Sequence, residues 1–183
     1  MNYASIKNCD IANGPGVRVS LFVSGCTHHC KGCFNEIAWD FNYGEPFTQE
    51  TIDKILDMLK PDYVKGLTLL GGEPFEPQNQ PALVDLLRQV RERYPQKSIW
   101  SFSGYLFDRD ILPGKLGDPA VTRVFLSYLD VLVDGPFVEA KKNLSLRFRG
   151  SENQRLIDVQ ASLDQGRVVL WEDWQGNGRG MKG

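Results

Sequence analysis

Cys26, Cys30 and Cys33 fall within eight residues, and no other feature restricts the structure of this chain as strongly. The spacing is Cys26-x3-Cys30-x2-Cys33. Thiols this close share one short loop. The chain has four cysteines in 183 residues, too few for a disulfide scaffold at this size, and Cys9 stands apart. Where thiols are kept reduced, clustered cysteines read as metal ligands before disulfides. Thiolate softness suits iron–sulfur chemistry or zinc. Three ligands on a four-iron, four-sulfur cluster leave one iron open, much as a catalytic zinc keeps an open position. A structural zinc site would recruit Cys9, His28 or His29 as fourth ligand. Zinc knuckles and ribbons tend to use two separated cysteine pairs, and a second pair is missing here. His28 and His29 would also be strained as ligands inside the loop.

The remaining composition is that of one ordinary globular domain. Hydrophobic residues make up 42% and charged residues 24%, with a net charge of −2. A closed eight-fold α/β barrel takes about 250 residues, more than this chain has. A pI of 5.7 argues against nucleic-acid binding through phosphate contacts. No apolar run reaches the ~18–20 residues needed to span a bilayer. The first residues carry no apolar signal core, so the expected location is the cytoplasm.

Residues 17–24 (VRVSLFVS) are β-rich and follow the Asn13-Gly14-Pro15-Gly16 loop, which predicts a first strand. The cysteine loop comes directly after it. Residues 48–60 carry Ile52, Ile55, Leu56 and Leu59 at helical spacing, with Thr48 as N-cap and Pro61 as stop. Residues 66–70 read as a short strand that ends in Gly71-Gly72-Glu73-Pro74. Leu83, Leu86, Leu87 and Val90 mark a second helix. Residues 97–103 read as a strand, 118–128 as a helix and 131–134 as a strand. Strands alternating with helices predict βαβ units and a mainly parallel sheet. The expected class is α/β, with four or five units forming an open partial barrel. Beyond it, residues 156–161 and 167–171 read as a C-terminal β-hairpin extension turning at Asp164-Gln165-Gly166. The division expected is 1–155 for the barrel, 156–174 for the extension and 175–183 for a disordered tail.

The Gly71-Gly72-Glu73-Pro74 turn lies at a strand end, where α/β sheets bind ligands. Paired glycines allow close approach to the backbone. A carboxylate or backbone carbonyl there suits an ammonium group. Since the cysteine loop also follows a strand, both features lie on one rim of one sheet.

Together these features resemble the radical S-adenosylmethionine superfamily, which carries a CxxxCxxC loop after its first strand and a GGE-type motif after its second. Residues 13–18 (NGPGVR) resemble the GPG-x-R segment of glycyl-radical-enzyme activases. Residues 24–35 (SGCTHHCKGCFN), 100–105 (WSFSGY), 131–137 (VLVDGPF) and 149–155 (RGSENQR) resemble the activases of anaerobic (class III) ribonucleotide reductases. The resemblance covers about residues 1–155. One position departs from the superfamily at large: Gly32 stands where an aromatic residue usually precedes the last cysteine, and Phe34 follows Cys33 instead.

The resemblance implies a [4Fe-4S] cluster on Cys26, Cys30 and Cys33, with S-adenosylmethionine chelating the open iron. It implies that the backbone of Gly32, Cys33 and Phe34 meets the adenine, and that Gly72 and Glu73 receive the methionine ammonium. Asp134 is expected at the ribose hydroxyls, with Ser103 a weaker candidate. Reductive cleavage would give a 5′-deoxyadenosyl radical, which takes a Cα hydrogen from a glycine of the partner reductase. No protein general acid or base is required. Asn13 and the Gly14-Pro15-Gly16 loop are expected to touch the glycyl loop. Arg147, Arg149, Asn153 and Gln154 form a polar cluster suited to cofactor or partner. Cys9 is expected to be a small buried hydrophobe, outside the ligand set. The implied electron donor is of the flavodoxin type, and pairing with a second copy as a homodimer stays open. Neither nucleic acid nor a membrane is an expected partner. Two alternatives stand beside this reading. One is another small radical enzyme, with a different glycyl-radical partner or a small substrate such as a deazaguanine precursor. The other is a zinc-stabilised interaction module.

Overall fold

The computed structural model describes residues 1–172. Its framework is a seven-stranded sheet in the order β3-β1-β2-β4-β5-β6-β7. The strands are β1 (Asn2–Asp10), β2 (Val17–Val23), β3 (Glu45–Pro46), β4 (Val64–Gly71), β5 (Ser98–Phe102), β6 (Val131–Asp134) and β7 (Arg155–Asp158). The centre, β2-β4-β5-β6, is parallel. Both flanks are antiparallel, through β1 with β2 and β3 and through β6 with β7. The α/β class therefore stands, but the sheet is mixed and parallel only in its middle. The antiparallel flank begins with β1, which the sequence reading omitted. Its side chains are half-buried or exposed except Asp10, so no apolar alternation marks it. Backbone pairing with β2 holds it in place.

The helices arise where the apolar spacing placed them. In α1 (Gln49–Leu59), Ile52, Ile55, Leu56 and Leu59 are buried, and the Thr48 N–H donates to Thr51 Oγ1 at its start. In α2 (Gln80–Arg93), Leu83, Leu86, Leu87 and Val90 are buried. Asp118 caps α3 (Pro119–Tyr128) by accepting from the Ala120 N–H at 2.8 Å. These faces pack on one side of the sheet, against Val19, Leu21, Val23, Leu67, Leu69, Ile99 and Leu132. Phe75 and Phe125 stack within that core, with ring centroids 4.4 Å apart.

Residues that alternate with these point to the opposite face. There Trp100, Val131 and Val133 form a second, smaller cluster with Phe102, Phe148, Leu156 and Trp171. The segment joining β6 to β7 folds across this face, and Phe148 and Trp171 set their rings on Trp100 at 5.4 and 4.9 Å. A cavity opens beside that cluster.

The expected C-terminal hairpin is not formed. Residues 155–158 join the main sheet as β7, and the chain then enters α4 (Val159–Gln165). Asp158 caps that helix by accepting from the Ala161 N–H, and Gly166 ends it in the left-handed conformation at φ 65°. Good helix formers between an Asp N-cap and a Gly stop outweigh the β-prone residues around them. The strand expected over 167–171 survives as one antiparallel bridge, Leu170 to Ile157. The expected tail, 175–183, lies outside the described residues, as do 173 and 174. Among the described residues no helix is long and apolar enough to cross a membrane.

Truncating Phe125 removes one of the two stacked rings at full burial. Phe125→Ala is expected to lower the unfolding free energy by about 3–5 kcal/mol, read from a urea titration with unchanged slope. A loss under about 1 kcal/mol would contradict the packing described.

Candidate metal centre

The cysteine loop is bound to the sheet rim through its backbone. Past β2, the Gly25 and Cys26 N–H groups donate to the carbonyls of Ala38 and Trp39, at 2.8 and 3.2 Å. On its other side, the Gly72 N–H donates to Val23 O and the Glu73 N–H to Gly25 O, at 2.7 and 2.8 Å. A Cβ on Gly72 would stand 2.5 Å from Gly25 O and 2.9 Å from Ala38 O. The close approach that this glycine permits is thus made first by the protein's own loop. The Cys33 N–H turns back to Cys30 O at 3.1 Å. Cys26, Cys30 and Cys33 all line one cavity of about 490 Å³, together with Gly71, Gly72, Glu73, Ser103 and Gly104.

Burial pushes the Cys26 thiol up to about 12, and the carboxylates of Glu73 and Glu76 add to the effect. Cys30 is also raised, chiefly by burial. Thiols so placed become thiolates only against a strong positive charge, which a bound metal supplies. Three thiols on one short loop, all lining one open cavity, fit an iron–sulfur cluster, in which each thiolate binds a different iron.

Glu73 ties the rim together. Its side chain is 1% exposed. Oε1 accepts from the Phe75 N–H and the Ser103 hydroxyl, each at 2.9 Å. Oε2 accepts from the Gly104 N–H at 2.7 Å and lies 3.0 Å from His28 Nε2. One carboxylate therefore joins the cysteine loop, the turn after β4 and the turn after β5. Burial disfavours a charged His28, but the hydrogen bond and charge of Glu73 prevail and raise its pKa. Thr27 repeats the pattern beside it, donating from both its backbone N–H and its hydroxyl to Glu76 Oε1.

Residues 12–157 match a family model described as a 4Fe-4S single cluster domain. Curated relatives match over nearly their whole length. An anaerobic ribonucleoside-triphosphate reductase-activating protein of Enterobacteria phage T4 is 42% identical, over 85% of this chain and 93% of its own. Proteins of the same name from Vibrio cholerae and Escherichia coli K12 are each 42% identical, over 84% of this chain and 96% of theirs. The chain belongs to the anaerobic ribonucleoside-triphosphate reductase-activating protein family.

In this family member the expected site residues separate into two groups. Gly32, Phe34, Gly72, Glu73 and Ser103 gather around the three cysteines. Glu73, however, already holds four donors, and Ser103 is one of them. Both brace the rim. Phe34 stands 71% exposed at the cavity lip, its ring 5.2 Å from Phe137. Asp134 lies elsewhere. It follows Leu132 on the helix-facing side of β6, fully buried, and Arg155 donates to both of its oxygens. The Phe107 N–H completes its shell. Strand alternation thus turns Asp134 away from the cavity. Cys9 is exposed in β1 rather than buried, with φ 61° at an irregularity in the pairing. Gln154 and Asn153 latch the segment after β6, the first donating to Gly135 O and the second to Pro136 O. Arg149 lines the cavity and donates to Gln154 O.

Sequence reasoning weighed His28 only as a fourth zinc ligand, and gave Tyr105 and Trp39 no place at the rim. His28 packs its ring 4.2 Å from Tyr105, and Trp39 stacks on His29 at 4.4 Å. The available signal was that two histidines sit inside the cysteine loop. Removing the charge of Glu73 should loosen all three segments. Glu73→Gln keeps the shape but places an NH2 among donors, and a loss of about 1–3 kcal/mol is expected by denaturant titration. Gly72→Ala, whose Cβ meets two backbone oxygens, is expected to lower iron incorporation as well as stability. A variant with full iron content would refute the tight docking of turn on loop.

Proposed function

We propose that this protein is a radical S-adenosylmethionine enzyme that installs a glycyl radical on an anaerobic ribonucleotide reductase. The observation that carries the reading is the cavity itself. Three thiols of one loop open beside a Gly-Gly turn at the strand ends of the sheet's parallel centre. The mixed sheet would then be a partial barrel of the radical S-adenosylmethionine type. Names of the relatives point to the reductase as target. When bound, a [4Fe-4S] cluster supplies the electron that splits S-adenosylmethionine into methionine and a 5′-deoxyadenosyl radical, the species that takes the glycine Cα hydrogen.

Cys26, Cys30 and Cys33 would hold three irons and leave the fourth for the amino and carboxylate groups of S-adenosylmethionine. The turn from Gly71 to Glu73 would accept the methionine ammonium at its backbone carbonyls, while the Glu73 and Ser103 side chains keep that turn rigid. The backbone of Gly32–Phe34 would meet the adenine. Phe22, Leu70 and Phe102 give the cavity an apolar wall that excludes water from the reacting centre. Ala12 and Asn13 line the same cavity, and Asn13 would face the incoming glycyl segment. Partners of this reading are the reductase and an electron donor of the flavodoxin type, with a second copy as a homodimer and a cytoplasmic setting.

Anaerobic preparation is expected to yield about four irons per chain. Incubation with the reductase, S-adenosylmethionine and reductant should produce the doublet glycyl signal in electron paramagnetic resonance. Cys30→Ala should lose both. One zinc per chain, or an active Cys30→Ala variant, would overturn the reading.

A further inference from the structure

The part of the cavity away from the cysteines is bounded by a polar network that the proposed chemistry does not use. Arg18 lies near the start of β2, fully buried. Its guanidinium donates to Thr68 Oγ1 and Ser98 Oγ, each at 2.8 Å. It also reaches Leu67 O, Ser98 O and Pro15 O. Among the described residues no carboxylate touches it, and Asp130 and Asp10 act only from a distance. A cation buried without an ion pair is a poor device for stability, since well-packed apolar residues often do as well or better. Its partners suggest a different task.

Thr68 accepts from Arg18 and passes its own hydroxyl proton to Asn13 O at 2.8 Å. Gly14 lies directly on the arginine: a Cβ there would stand 2.7 Å from Arg18 Cδ, at φ +135°. The Asn13 side chain is fixed as well, because Nδ2 donates to Asp10 Oδ2 at 2.6 Å. Asp10 in turn accepts from the Ala12 N–H and the Ser20 hydroxyl. The carbonyl oxygen and one amide hydrogen of Asn13 are thus taken. Among the described residues Oδ1 accepts from no protein donor, which leaves it open to a ligand on the cavity side.

We propose that Arg18 and Thr68 are positioning residues, which hold Asn13 at the cavity wall so that its Oδ1 accepts a backbone N–H of the substrate segment. This rests on the activase reading above. A loop held on both sides brings the target glycine to a fixed place beside the radical. A loop set loose lets the radical be spent without transfer.

Coupling is the quantity to measure. Thr68→Val keeps the side-chain shape but removes the hydroxyl, and Thr68→Ser keeps the hydroxyl. Cluster-loaded wild type and variants are incubated with the reductase, S-adenosylmethionine and reductant, and glycyl radical and 5′-deoxyadenosine are both counted. The ratio of radical to 5′-deoxyadenosine is expected to fall roughly tenfold in Thr68→Val and to hold in Thr68→Ser, with iron content unchanged. Arg18→Met should shift the ratio in the same direction, and if it does not fold, the Thr68 pair decides. An unchanged ratio in Thr68→Val, an equal fall in Thr68→Ser, or loss of the cluster from Thr68→Val overturns the proposal. A wild type that forms neither product would overturn the activase reading, and this inference with it. A wild type that couples, beside a Thr68→Val that couples equally well, overturns this inference alone.

Discussion

The carboxylate of Glu73 holds the rim together. Three chain segments, far apart in sequence, end at the same edge of the sheet, and each presents donors that need a buried acceptor. The Phe75 and Gly104 amides, the Ser103 hydroxyl and His28 all find it in one side chain. A buried charge is costly unless its lone pairs are filled, and here they are. Filling them also makes the carboxylate a poor partner for an external ammonium. The acid of the GGE turn serves the protein's own donors, and in the proposed function it is the backbone around it that would meet a ligand.

Much of the architecture was written in short-range pattern. Ile52, Ile55, Leu56 and Leu59 specify a helix face without tertiary help, and residues 131–134 read as the strand that forms. The misreadings have physical causes. β1 is held by backbone pairing at the flank of the sheet, a bond pattern that leaves no side-chain signature. The expected strand over 156–161 rested on the β-prone Ile157 and Val159, yet the Asp158 cap, the helix formers Ala161 and Leu163 and the Gly166 stop decide for a helix from Val159 onward. The cysteines, Gly72, Glu73 and Ser103 line one cavity because spacing and strand ends bring them to one rim. Asp134 was misplaced because a strand end says nothing of which side a residue faces. Counting by twos from Val131 and Val133 would have shown it.

The two sides of the sheet thus have different tasks. One is filled by helices and mostly apolar, with Asp134 as a buried charge held by Arg155. The other alternates apolar wall with buried polar groups: Arg18, Ser20 and Thr68 lie on the same side as Phe22 and Trp100. The Arg18 guanidinium also lies 5.6 Å from the Trp100 ring, a cation–π contact that offsets part of the cost of its burial. The arginine makes sense as support for a loop that has to keep its shape while one side of it stays open.

The borders of the sheet carry a further consequence. On one side β3 is only two residues long and contains Pro46, which has no amide hydrogen to offer. On the other, residues 169–171 lie along β7, with the Asp158 N–H donating to Val169 O and the Trp171 N–H to Leu156 O. Yet β3 covers only Asn2 and Tyr3 of β1, so among the described residues the outer edge of β1 beyond them carries no strand partner. The break in register between Lys7 and Asp10 and the exposed Lys7 side chain roughen that edge, the means by which sheets commonly discourage strand addition. The two borders therefore differ: one is covered by the chain's own last described residues, the other is guarded only by its irregularity and its charge.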